Sequence, residues 1–307
     1  MRPQLVRRAT LLLAPVVAQA GAACAQAPDP DTLPVHVFEY DRAAPLDFRD
    51  SLAQTVGDVE LRSMSFASPR GGRATGYLFV PRARGRYAGL VLQHGMPSRA
   101  RDMIPQGMQL ARHGAVVVAV DAPFARRAGE AVLFTEADSA EQVALIVDLQ
   151  RAVDLLLARR DVDPERLGYL GVSYGAAMGA LFAGIERRVR TYLLIVGDGG
   201  LVAHFTGPED QPGPLGQLDS ARRDRWLSAM RPIEPIRFIH RAAPASILFQ
   251  SGRRDVLVPP ADAERLHAAA RNPKTVEWYD AGHGLGADAK ARQLQWLHRQ
   301  LRMREPG

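Results

Sequence analysis

The 307-residue sequence holds a single cysteine, Cys24, so no internal disulfide can form. That cysteine lies at the edge of an N-terminal leader, and removal of the leader would leave no thiol nucleophile. Ligands for a metal are missing as well: there is no His-Glu-x-x-His, no paired cysteines and no carboxylate cluster at ligand spacing. The glycine groups Gly71-Gly72 and 197–200 have neither the G-x-x-x-x-G-K-[ST] phosphate cradle nor a strand–G-x-G-x-x-G–helix frame. No metal and no cofactor is therefore expected. No basic run with interleaved aromatics appears. The formal charge of +6 falls to +3 when three leader arginines are set aside, and the other arginines are scattered among acids. Scattered charge is a solvated surface and gives no nucleic-acid footprint. Internal repeats and low-complexity tracts are absent too.

What is present begins with that leader. Arg2, Arg7 and Arg8 precede an apolar run from Leu11 to Ala23, followed by small residues, which is the layout of a secretory signal peptide over residues 1–25 with cleavage after Ala25. The run is short of the ~20 residues that a bilayer span needs, so no stable membrane span is expected after processing. Export to the periplasm or the medium follows. Gly21-Ala22-Ala23-Cys24 faintly matches a lipoprotein box, leaving a lipid anchor through Cys24 as the alternative, and Arg7-Arg8 leaves the export route open.

With 47% hydrophobic residues, residues 26–307 can bury a large core, and they read as one domain of alternating strands and helices. Val59 to Phe66 and Ala74 to Val80 form an antiparallel pair with Gly71-Gly72 in the turn. Gly89 to Gln93, a helix from Arg101 to His113, and the fully apolar Ala115 to Val120 then give β-α-β spacing. Ser139-Ala140-Glu141-Gln142 reads as the capping box of a helix carrying Ile146, Leu149, Val153, Leu156 and Leu157 on one face, ending near Arg160. Leu167 to Val172, Thr191 to Val196, Ser246 to Gln250 and Thr275 to Tyr279 complete the strands, and Ala287 to Met303 closes the chain as an amphipathic helix. The expected fold is α/β, a mostly parallel sheet of about eight strands flanked by helices. Residues 197–243 break the rhythm with Gly and Pro clusters and one helix, Asp219 to Met230; a connection this long predicts a lid or an edge excursion.

Gly171-Val172-Ser173-Tyr174-Gly175 fits G-x-S-x-G and sits between an apolar strand and a small-residue helix. A serine at such a turn takes a strained backbone, and small neighbours on either side make room for it. Ser173 is thus the candidate nucleophile. A serine hydroxyl needs a base, and the base needs a third group that fixes its tautomer. His283, in Ala281-Gly282-His283-Gly284 directly after a strand, is the candidate base. Asp255, at the carboxyl end of the strand Ser246 to Gln250, is the candidate acid, with Asp198 after the preceding strand as its rival. Backbone N–H groups must meet the oxyanion. Tyr174, at the helix N-terminus, and Met96, in the loop after Gly89 to Gln93, are the candidate donors, with Gly95 as the alternative to Met96. His94 reads as the residue that holds that loop.

These segments resemble the α/β-hydrolase superfamily, and within it the dienelactone hydrolase and prolyl-oligopeptidase-like serine esterase branch. The carriers are Gly76-Tyr77-Leu78-Phe79-Val80-Pro81, His94-Gly95, Asp161 to Gly168, the Ser173 turn, the Asp255 segment and Asp280-Ala281-Gly282-His283. The resemblance implies an α/β-hydrolase fold from about Ala74 onward and hydrolysis of a small-molecule ester through an acyl-enzyme. Ser173 stands where dienelactone hydrolases carry cysteine, which points away from that reaction; the sequence shows no propeller, which points away from a gated oligopeptidase. Peptidase or thioesterase activity with the same triad, or a catalytically silent binding protein, are the alternatives. Two features bear on the substrate. Arg99, Arg101, Arg126 and Arg127 follow strands at the ligand-binding edge of open α/β sheets, which suggests an acid-bearing ester. Phe205, Trp226 and Met230 suggest an apolar lid wall.

Overall fold

The computed structural model describes residues 33–207 and 213–303. The leader, Cys24 and the cleavage site lie outside the described residues. Strands β1 (Arg49–Val56), β2 (Val59–Ala67) and β3 (Arg73–Pro81) form an antiparallel entry. The expected pair is β2–β3, in register from Val59↔Pro81 to Ala67↔Arg73. Its turn uses Gly71 at φ +100° and Gly72 at φ +70°, backbone that side chains rarely adopt.

The body of the sheet is parallel. Strands β4 (Tyr87–Gln93), β5 (Ala115–Val120), β6 (Val162–Val172), β7 (Thr191–Ile195), β8 (Ser246–Gly252) and β9 (Lys274–Tyr279) give the order β1-β2-β3-β5-β4-β6-β7-β8-β9. The sheet thus has nine strands where the sequence pattern predicts about eight. The additional one is β1, which is exposed along nearly its whole length. A strand wetted on both faces has no apolar alternation to betray it.

Every residue of β4 and β5 is buried, and a parallel strand apolar throughout needs cover on both sides. Alternate residues divide accordingly. Val116, Val118 and Val120 join one core with helices α2 (Glu136–Ala158), α3 (Tyr174–Ile185) and α6 (Pro260–Ala269). Val117 and Ala119 join a second core with α1 (Ile104–Arg112) and α7 (Ala287–Leu301).

Two helix starts differ from expectation. Residues 100–103 form a 3-10 turn ahead of α1, which itself starts with Pro105 in its first turn. Helix α2 begins four residues before the predicted box: Thr135 is the N-cap, its side chain accepting from Ala137 N while Asp138 accepts from Thr135 N. Thr-x-x-Asp offers the same reciprocal capping as Ser-x-x-Gln. It prevails because Asp138 also accepts from Leu133 N at 2.9 Å and from Trp226 Nε1 at 2.7 Å. Ser139 and Gln142 are left inside the helix, Gln142 donating to Ile233 O at 2.7 Å.

The segment 197–243 holds α4 (Leu201–Thr206), α5 (Ser220–Met230) and short 3-10 turns. It is part of the same compact unit as the sheet. α5 packs against α2, and the turns at 235–237 and 239–241 pack against α3. Among the described residues no helix is long and apolar enough to cross a membrane.

Candidate active site

Ser173 lies between β6 and α3 with φ +56° and ψ −119°. That conformation costs a non-glycine residue about 1–3 kcal/mol and persists only where the surroundings enforce it. Enforcement is visible in the backbone. Ser173 N donates to Ile195 O of β7 at 2.8 Å, and Ser173 O accepts from Ala176 N and Ala177 N at 2.8 and 3.0 Å. The flanking glycines are sterically required. A Cβ on Gly171 would stand 2.2 Å from Gly175 O, and one on Gly175 would stand 2.3 Å from Gln93 O and 2.8 Å from His94 O. The turn is therefore wedged against the end of β4.

The loop after β4 carries the candidate oxyanion donors. A Cβ on Gly95 would come within 3.1 Å of Ser173 Cβ and 3.8 Å of its Oγ, so this loop runs directly beside the candidate nucleophile. His94 fixes the loop. Its Nε2 accepts from Ala122 N at 3.0 Å, which requires the proton on Nδ1, and Nδ1 donates to Gly95 O at 2.7 Å. Burial lowers its pKa and keeps the ring neutral. The expectation that His94 is a brace agrees with these bonds. Tyr174, buried and edge-on to Phe124 at 5.4 Å, opens α3, where a helix's first N–H groups have no intrahelical acceptor.

His283 and Asp255 meet across the ends of β9 and β8. His283 Nδ1 donates to Asp255 Oδ2 at 2.8 Å, while Asp255 Oδ1 accepts from Leu257 N at 2.9 Å and Val258 N at 3.0 Å. Asp255 is buried and its carboxylate is fully engaged. Gly252 lets the two loops touch: a Cβ there would stand 2.5 Å from both Ala281 O and Gly282 O. Ser173 and His283 line one cavity of about 690 Å³, together with Met96 and Tyr174. Their side chains form no direct hydrogen bond to each other, a looseness common in unliganded sites.

The rival carboxylate has a different partner. Asp198 accepts from His204 Nδ1 at 2.8 Å and from Gly200 N at 3.0 Å. It follows Val196, a β-branched residue held at φ +48° as the chain leaves β7. The hydrogen bond to Asp198 raises the pKa of His204, against the opposing effect of burial. Beside this pair, Glu234 is buried and accepts from Val202 N with both oxygens at 3.1 and 3.2 Å. Burial pushes Glu234 up to about 8, and the charge of Asp198 adds to the rise.

The substrate expectations need correction. Arg126 is paired with the buried Asp148 at 2.6 Å, Arg127 with Glu141 at 2.6 Å, and none of Arg99, Arg101, Arg126 and Arg127 lines the cavity. Helix α2 supplies both partners, so these two arginines are structural pairs and are not free to bind an acid. Of the supposed lid wall only Phe205 reaches the cavity. Trp226 and Met230 are completely buried in the core beneath it. Val132 and Phe134, from the loop before α2, line the wall instead, with Leu257 and Val258 after Asp255. These residues lie in loops without periodicity, and only the fold brings them together. A larger groove of about 1050 Å³ lies elsewhere, lined by Arg70, Arg126 and Glu141 among others, and contains none of the candidate triad. Among the described residues no group of three or more His, Cys, Asp or Glu is placed to hold a metal ion.

The model of the prolyl oligopeptidase family matches residues 105–304, a span holding Ser173, Asp255 and His283. The chain belongs to the prolyl oligopeptidase family. Among curated proteins it is 28% identical over 137 residues to the uncharacterized protein YfhR of Escherichia coli O157:H7, a match covering 43% of this chain and 43% of that protein. The chain thus matches less than half the length of that relative. Solved structures share the fold across most of the chain. Acetyl xylan esterase from Paenibacillus sp. R4 is 19% identical with a TM-score of 0.70, covering 84% of this chain and 90% of that one. Acetyl xylan esterase 1 from Thermoanaerobacterium sp. JW/SL YS485 is 17% identical with a TM-score of 0.71, covering 86% and 91%. The α/β hydrolase GrgF from Penicillium sp. sh18 is 15% identical with a TM-score of 0.60, covering 79% and 99%. The α/β-hydrolase fold implied by the sequence motifs is therefore the fold of this family member.

Proposed function

We propose that the protein is a serine hydrolase that cleaves a carboxylic ester through an acyl-enzyme, with Ser173 as nucleophile, His283 as base and Asp255 as the group that orients His283. The observation that carries the reading is the strained Ser173 opening onto the same cavity as a histidine whose Nδ1 is tied to a buried carboxylate. With Nδ1–H donated to Asp255, the Nε2 lone pair is available for the Ser173 proton. Oγ attacks the ester carbonyl, His283 takes the proton, and the tetrahedral oxyanion is met by the N–H groups of Tyr174 and Met96. His283 then returns the proton to the departing alkoxide, and water repeats the cycle on the acyl-enzyme. The arrangement needs no metal and no cofactor for any step.

The cavity volume supports a small ester over an extended peptide, since about 690 Å³ falls in the range that encloses a small molecule. The presence of acetyl xylan esterases among proteins of the same fold is in keeping with that class.

The test is release of p-nitrophenol from short and medium p-nitrophenyl esters by the wild-type protein and by Ser173→Ala. A fall of about three orders of magnitude or more in kcat is expected for loss of a triad member. Equal, weak hydrolysis by both proteins would remove Ser173 from the chemistry and leave a silent binding protein as the better account.

A further inference from the structure

The cavity contains a second histidine–carboxylate pair that the ester mechanism above does not use. His204 lines it, with a partly exposed side chain edge-on to Phe205 at 4.9 Å, and Nδ1 is occupied by Asp198 at 2.8 Å. No hydrogen bond among the described residues engages Nε2, which makes it the free polar atom of the ring. The Asp198 side of the pair has further anchors. Asp198 is pinned by Gly200 N, and the turn into α4 is closed by Glu234, against whose Oε1 a Cβ at Gly200 would stand at 2.1 Å.

Two further observations narrow what Nε2 can hold. His204 shares the cavity with Ser173 and His283 and is close enough to Asp255, the partner of His283, to feel its charge; His283 is the group that hands its proton to the departing alcohol. No lysine or arginine lines the described wall, and two of its carboxylates already have partners, Asp102 in Arg101 at 3.9 Å and Asp198 in His204, so Nε2 of His204 is left to meet a polar substituent of the substrate. The ring can present Nε2 in two states. Protonated, Nε2 donates; neutral, with the proton kept on Nδ1 by Asp198, Nε2 accepts. A hydroxyl is the group that satisfies both states, because it can accept or donate at the same position.

We propose that His204 is a specificity-determining residue whose Nε2 holds a neutral hydroxyl on the alcohol portion of the ester. The proposal rests on the reading of Ser173 as the nucleophile of this cavity.

Three acetates of similar size test it: 1-propyl acetate, glycerol 1-monoacetate and 3-acetoxypropionate, each followed by acetate release at pH 7. For the wild type, kcat/KM for the glycerol ester is expected to exceed that for the propyl ester by about tenfold, the worth of one good hydrogen bond. A preference for the acid-bearing ester would overturn the choice of a hydroxyl. His204→Leu should bring the glycerol and propyl values together. His204→Gln, which can still donate and accept, should keep part of the preference. A wild-type ratio near one, a preference that survives in His204→Leu, or an equal loss on all three esters would each overturn the role. Ser173→Ala separates the two readings. Serine-dependent hydrolysis without hydroxyl preference defeats only the role of His204, whereas serine-independent hydrolysis defeats the reading beneath it.

Discussion

Gly175→Ala is the substitution whose consequence can be worked most directly from the geometry. The added methyl would stand 2.3 Å from Gln93 O and 2.8 Å from both Gln93 C and His94 O. Unstrained contacts of this kind lie near 3.4 Å or beyond, so the overlap is about 1 Å, and every opposing atom is backbone. The end of β4 or the start of α3 must move. Overpacking of this kind costs about 1–3 kcal/mol, which for a domain of this size lowers Tm by roughly 3–10 °C. The displaced segments carry Ser173 on one side and the Gly95–Met96 loop on the other. A 1 Å error between a nucleophile and its oxyanion donors costs about 10²-fold in rate. The assay is kcat/KM on a p-nitrophenyl ester together with a thermal melt, and Gly286→Ala is the control because nothing lies within 4 Å of a Cβ at that position. Wild-type kcat/KM and a Tm equal to that of Gly286→Ala would refute the claim that contact between the Ser173 turn and the β4 loop sets the catalytic geometry.

Two further outcomes test the surroundings of the site. Trp226→Phe deletes the 2.7 Å bond to the buried Asp138 but leaves that carboxylate its bonds from Leu133 N and Thr135 N; a loss of about 1–3 kcal/mol is expected in a denaturant melt, with acyl-chain preference unchanged because Trp226 does not line the cavity. A shift in chain-length preference would contradict its placement in the core. Glu234 ionises at about 8 in the fold against 4.5 ordinarily, so between those values the folded state holds a proton that the unfolded chain has released. Its contribution is complete below about 4.5, falls as pH rises toward 8, and is constant beyond. Glu234→Gln should therefore melt at a progressively higher temperature relative to wild type from pH 5 to pH 8.5, and a pH-independent difference between the two melting curves would count against the buried, protonated carboxyl.

The parts of the site visible in the sequence are those fixed by local chemistry. Gly171 and Gly175 announce the Ser173 turn because the wedge between β6, α3 and β4 has no room for a Cβ at either position. Asp255 and His283 are legible because each lies within a few residues of a strand end, and parallel pairing of β8 with β9 places those strand ends side by side. The β1 strand was not legible because water covers both its faces, and the α2 start was misplaced because Asp138 is selected by Trp226 of α5 from 88 residues away. Charge is where local reading inverts the answer. Arg126 and Arg127 lie near the ends of strands, as ligand-binding cations would, yet Asp148 and Glu141 on α2 neutralise them. Asp198 stands where a triad acid could, yet a turn of six residues returns His204 to it while β8 and β9 give His283 to Asp255. The described wall therefore lacks its supposed cations, and of its carboxylates Asp102 is met by Arg101 and Asp198 by His204. Which charges face the cavity is a property of the side chains that the fold pairs and is not carried by any one segment of the chain.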